Sequence, residues 1–77
     1  MNDQAMTGAA GEVFEDTKGH LWLIVTDHER REVRADRLGY DGPARFVFQG
    51  KSMCDGLSRE VRNHVRETFR LAFGGVL

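Results

Sequence analysis

Four arginines, Arg59, Arg62, Arg66 and Arg70, recur at helical spacing near the C-terminus. At about 100° per residue they fall within roughly a quarter of a helix circumference, on the side opposite the apolar stripe. Arg62, Arg66 and Arg70 are successive i,i+4 neighbours of like charge, an arrangement that is mildly unfavourable in isolation. Glu67 is the local carboxylate, three residues before Arg70. Such a ridge suits an anionic partner, either phosphates or an acidic protein, and Lys51 and His64 extend it. The same pattern also describes a solvated helix face. Beside it stand no glycine-rich phosphate loop, no RNP-type aromatic pair and no zinc framework.

Two further groupings raise and then weaken the case for reactive chemistry. Glu60 and His64 form an i,i+4 pair, but zinc takes three or four protein ligands, and His20 and His28 have no paired spacing. No metal and no cofactor are expected. Cys54 near a histidine, or the hydroxyls of Ser52 and Ser58, would be the nucleophiles of an enzyme. None lies in a nucleophile context such as G-x-S-x-G. Cys54 reads more simply as a small packed residue at a helix start. A chain of 77 residues also leaves little room for a preorganised pocket. The expectation is a protein that is not an enzyme.

Size and composition set the frame around these residues. The chain makes one small domain whose stability margin is thin. It is 40% hydrophobic and 30% charged, with a net charge of −1, ordinary values for a globular protein. No overall basic excess announces nucleic acid. The charge is uneven, however. Residues 1–50 hold six Lys/Arg against nine Asp/Glu, and residues 51–77 hold five against three. A single cysteine excludes an internal disulfide framework and fits a reducing, cytoplasmic setting. The N-terminal stretch lacks the pattern of a secretory signal. The longest apolar run, Leu21 to Val25, is too short to cross a bilayer.

The elements that must position the ridge follow from local patterning. Residues 1–11, small and polar, read as a disordered arm, with a single domain over 12–77. Residues 12–16 form a short strand, and Thr17-Lys18-Gly19 turns it, with Gly19 supplying a positive φ. Residues 20–26, rich in β-branched and aromatic types, give the strongest strand signal. Asp27 to Arg30 turns the chain again. Residues 31–37 alternate, Val33 and Ala35 inward, which favours strand over an amphipathic helix. Leu38 to Pro43 is a loop carrying Tyr40, which either displays its ring or lies back on a sheet edge. Residues 44–49 are a fourth strand. Ser52, Asp55 or Ser58 caps a helix that runs to Phe73, buries Leu57, Val61, Val65, Phe69 and Ala72, and stops at Gly74-Gly75. The fold class is therefore α+β: an antiparallel meander of three to four strands with one C-terminal helix packed on one face.

One helix covers one face of a sheet, yet the strand at 20–26 is apolar on both. With Leu21, Leu23 and Val25 turned to the helix, Trp22, Ile24 and Val47 would form an exposed apolar patch. A second copy of the chain, a different protein or the N-terminal arm would cover it.

The order Phe14-x-Asp16-x-x-Gly19, the run to Val25 and Asp27, then Pro43 and the Phe46–Phe48 strand ahead of Cys54 loosely resembles the layout of MbtH-like proteins. That family partners peptide-synthetase adenylation domains. Its Asn-x-Glu…Ser-Leu-Trp-Pro signature has no counterpart after Asp27, where this chain reads HERREVRADR, so no residue or partner is carried over. The sequence thus points to a small accessory or regulatory protein, acting by protein–protein contact and forming a homodimer, through Trp22, Ile24 and Val47 or through the arginine ridge. The alternative is a small nucleic-acid-binding protein using Arg59, Arg62, Arg66 and Arg70. No membrane association is expected.

Overall fold

Among the described residues, strands β1 (Ala9–Glu15), β2 (Leu21–Asp27), β3 (Glu32–Arg37) and β4 (Arg45–Phe48) precede one helix, α1 (Arg59–Phe73). The strands form one antiparallel sheet in the order β1-β2-β3-β4. The structure is a computed structural model and describes residues 9–39, 45–51 and 56–74. Tyr40, Ser52, Cys54 and Asp55 lie outside the described residues, as does most of the expected N-terminal arm. Residues 9–11 of that arm belong to β1 instead. Their small side chains do not prevent pairing with the strong strand β2, since a ladder needs only the backbone of its weaker member.

The turns follow local chemistry. Gly19 adopts φ 85°, as a tight β1–β2 hairpin needs. Between β2 and β3 the Asp27 carboxylate accepts from the Glu29 and Arg30 N–H groups at 3.1 and 3.2 Å, an Asx-type turn. The chain then completes the reversal through Arg31 at φ 51°. Ser58 caps α1, its Oγ accepting from the Val61 N–H, and Gly74 closes it at φ 78° with its N–H donated to the Arg70 carbonyl.

The helix lies over β2, β3 and β4. Val61, Val65, Phe69 and Leu57 face Trp22, Ile24, Val33, Ala35 and Phe48, all buried. This reverses the expected sidedness. Trp22 and Ile24, assigned to the uncovered face, are 6% and 1% exposed beneath the molecule's own helix. Leu21, Leu23 and Val25 take the open face instead. Val47 does stand open, 41% exposed, but it does not share a face with Trp22. The register explains both points. Ile24 pairs with Ala35, which pairs with Phe46, so the inner row is Ile24–Ala35–Phe46 and the next outer row is Val25–Arg34–Val47. Val33 and Ala35 are fully buried, which commits the even residues of β2 to the same side. Phe48 and Phe69, with ring centroids 5.1 Å apart and edge to face, close the core at the β4 end.

Candidate functional site

Asp16, just past β1, organises the hairpin end of the sheet. Its Oδ1 accepts the N–H groups of Lys18 and His20 at 3.0 and 2.8 Å, and its Oδ2 accepts the Trp22 indole N–H at 3.1 Å. His20 Nδ1 stands 3.6 Å from Oδ2. Burial acts to raise this carboxyl's pKa, but the His20, Trp22 and Lys18 donors outweigh it and hold the group below its ordinary value. Asp16 and Trp22 are thus structural partners. The indole found its hydrogen bond inside the fold, which a buried tryptophan requires. One turn away, Glu60 of α1 accepts from the Thr17 N–H through both carboxylate oxygens, at 3.0 Å each, and from the Thr17 hydroxyl at 2.8 Å. This clamps the β1–β2 turn to the first turn of the helix. Glu60 and His64, adjacent on one helix face, consequently turn to different partners.

The arginine ridge is only partly available. Arg62 is half-buried, its Nη2 donating to the Leu57 carbonyl at 2.9 Å. Seven residues separate it from Phe69, so it stands about 20° from the buried stripe rather than opposite it. Arg70 is joined to Glu67 through both its Nε and Nη2. That contact lowers the Glu67 pKa and raises that of Arg70. Arg59 and Arg66 are exposed and have no ion-pair partner among the described residues.

The open face of the sheet carries two halves. On β1 and β2 stand Val13, 63% exposed, Leu21, 43% exposed, and the half-buried Leu23 and Val25. Gly11 lies beside the last two without crowding them. On β3 and β4 the face is charged. Arg34 lies 3.6 Å from Glu32 and 3.9 Å from Asp36, and Arg45 donates to Asp36 at 2.9 Å. The Arg34 Nε–H is buried and has no hydrogen-bond partner among the described residues.

On the other face, the helix packs over β2, β3 and β4 and reaches the inner side of β1 through His64, and a groove of about 430 Å³ remains between them. Glu12 and His64 bridge its wall, Oε2 to Nε2 at 2.7 Å, with the His64 ring stacked on Phe14 at 4.1 Å. Thr26 lies on its floor, 8% exposed, and Thr68, Glu67 and His28 line it further. The Thr68 hydroxyl donates to the His64 carbonyl at 2.8 Å. The sequence reading missed this groove, because Glu12, Thr26 and His64 lie far apart in the chain and share no motif. The alternation that puts Glu12 and Thr26 on the inner face was its one available sign.

Among the described residues, no group of three or more His, Cys, Asp or Glu side chains is placed to hold a metal ion. No helix of the described residues is long and apolar enough to cross a membrane. No family model, curated protein or solved structure matches the chain.

Proposed function

We propose that this protein works by binding, as a small cytoplasmic accessory or regulatory domain rather than an enzyme, and that its open sheet face docks a second copy of the chain. The observation that carries this reading is the apolar half of that face: the exposed Val13 and Leu21 and the half-buried Leu23 and Val25, on the side of the sheet away from the helix. Grouped exposed side chains of this kind mark association surfaces more often than scattered ones do.

The register favours self-association in particular. Let one copy turn over about an axis across the strands, through the row Glu12–Ile24–Ala35–Phe46. The row Val13–Leu23–Asp36–Arg45 then faces Gly11–Val25–Arg34–Val47 of its twin. Val13 meets the space over a glycine, Leu23 meets Val25, and Asp36 of the twin brings a third carboxylate to the Arg34 guanidinium, beside Glu32 and Asp36 of its own chain. Such an isologous face satisfies both copies with one patch.

Sedimentation velocity over a concentration series tests this. The wild-type chain is expected to dimerise at high concentration, and Leu23→Asp to remain a folded monomer. A wild-type chain that stays monomeric at the highest concentration overturns the reading.

Arg59 and Arg66 favour a second reading, in which the ridge binds nucleic acid, because both cations are exposed and have no ion-pair partner among the described residues. Salt-dependent binding of a duplex oligonucleotide, lost in Arg59→Glu with Arg66→Glu, would support it. No binding even at low salt eliminates it.

A further inference from the structure

The free edge of β1 and the groove beside it form one continuous surface. We infer that this surface takes an extended, basic peptide segment of another protein, added as a fifth strand. The inference is independent of the dimer reading, which uses the opposite face.

The backbone supplies the first half of the argument. Among the described residues β1 pairs with β2 alone. The Asp16 N–H donates to the His20 carbonyl, and the Leu38 N–H donates to the Leu21 carbonyl. Alternation along each ladder then turns Ala10, Glu12 and Phe14 toward β2, and leaves the N–H and C=O groups of Gly11, Val13 and Glu15 directed outward. An exposed edge of this kind is a template for strand addition, with main-chain bonds supplying affinity and alternate side chains supplying specificity.

The groove supplies the second half. A strand added outside β1 would place every other side chain on the inner face, beside Ala10, Glu12 and Phe14. Its residue next to Glu12 meets a carboxylate whose Oε2 holds His64 and whose Oε1 has no partner among the described residues. An opposite charge at that cross-strand position is favourable. Its residue next to Ala10 looks over a methyl group toward Thr26, two strand spacings away, about 10 Å. Thr26 is 8% exposed and lines the groove. A long side chain ending in N–H donors, lysine or arginine, bridges that distance and can donate to its hydroxyl.

Charge selects the occupant. Strand β1 contains Glu12 and Glu15 and no cation. A second copy of β1 at this edge would set carboxylates along the seam, whereas a basic segment would neutralise them.

The test uses a decapeptide of alternating Lys and Thr, blocked at both ends, and its Glu/Thr counterpart, titrated into the full chain and followed by amide proton–nitrogen correlation spectra. The Lys peptide is expected to shift the Gly11, Val13, Glu15 and Thr26 amides saturably, and to slow exchange of the first three. The Glu peptide should leave them unmoved. Thr26→Val and Glu12→Gln should each weaken the Lys peptide several-fold while keeping native spectral dispersion. Three results overturn the inference: no saturable shift, equal shifts from both peptides, or shifts confined to Leu23, Val25 and Val47 on the open face. The last would instead add a ligand to the surface assigned to the dimer, and so separates the two proposals.

Discussion

Ile24 and Leu23 are chain neighbours on opposite sides of the sheet, and truncating each to alanine measures which side the helix covers. Ile24 is 1% exposed within the cluster of Val33, Ala35, Val61 and Val65. Ile24→Ala removes three carbons from a closed site and should cost about 2–5 kcal/mol. Scaled by chain length, a domain of 77 residues has a total stability of about 4–12 kcal/mol. The loss is therefore a large share of the whole. At about 4–8 °C per kcal/mol for a domain of this size, the midpoint should fall by roughly 8–40 °C. Leu23→Ala also removes three carbons, but from a half-buried side chain on the open face. At about 0.8 kcal/mol per fully buried methylene, half burial gives a loss of about 1 kcal/mol. Thermal unfolding followed by circular dichroism, at protein concentrations too low for association, reads both. Equal losses would refute the sidedness, because they would mean that Leu23 is as enclosed as Ile24 within a single chain.

Other expectations follow from single contacts. The Asp16 pKa is lowered in the folded chain, so its contribution to stability is present above the ordinary carboxyl value, near pH 4, and disappears as pH falls through the lower, folded value. Asp16→Asn should therefore flatten the acid limb of a urea-midpoint profile and also lower stability at neutral pH, since its amide group sets a donor against a donor at Lys18, His20 or Trp22; an unchanged acid limb would refute this. Gly50 sits at φ 91°, and a Cβ there would lie 3.2 Å and 3.3 Å from two atoms of the Phe69 ring. Gly50→Ala should cost about 1–3 kcal/mol from the backbone conformation alone, with the ring contact in addition. Gly19→Ala, at φ 85° with nothing within 4 Å, meets only the backbone penalty, so chemical denaturation should rank Gly50→Ala as the more damaging. Ser58→Ala removes the oxygen that accepts the Val61 N–H and should cost about 1 kcal/mol by the same measurement.

Local chemistry alone determined most of the architecture. Residue alternation, the positive-φ glycine at 19, a cap among Ser52, Asp55 and Ser58, and the glycine stop at 74 each act within a few residues, so they specify three to four strands, one helix and an α+β meander without reference to anything distant. The apolar stripe Leu57, Val61, Val65 and Phe69 was equally legible, because helical periodicity is a property of the segment itself. Which face of β2 that stripe covers was not. Leu21-Trp22-Leu23-Ile24-Val25 is apolar on both sides, and alternation carries no preference when both sides are greasy. The tertiary structure decided it through the Asp16 carboxylate that receives the Trp22 indole, and through Val33, Ala35 and Phe48, which leave the opposite face charged with Arg34, Asp36 and Arg45. The groove between β1 and α1 was hidden for the same reason. Glu12, Thr26 and His64 become neighbours only when strand register and helix placement are both set, and no short stretch of chain encodes that distance.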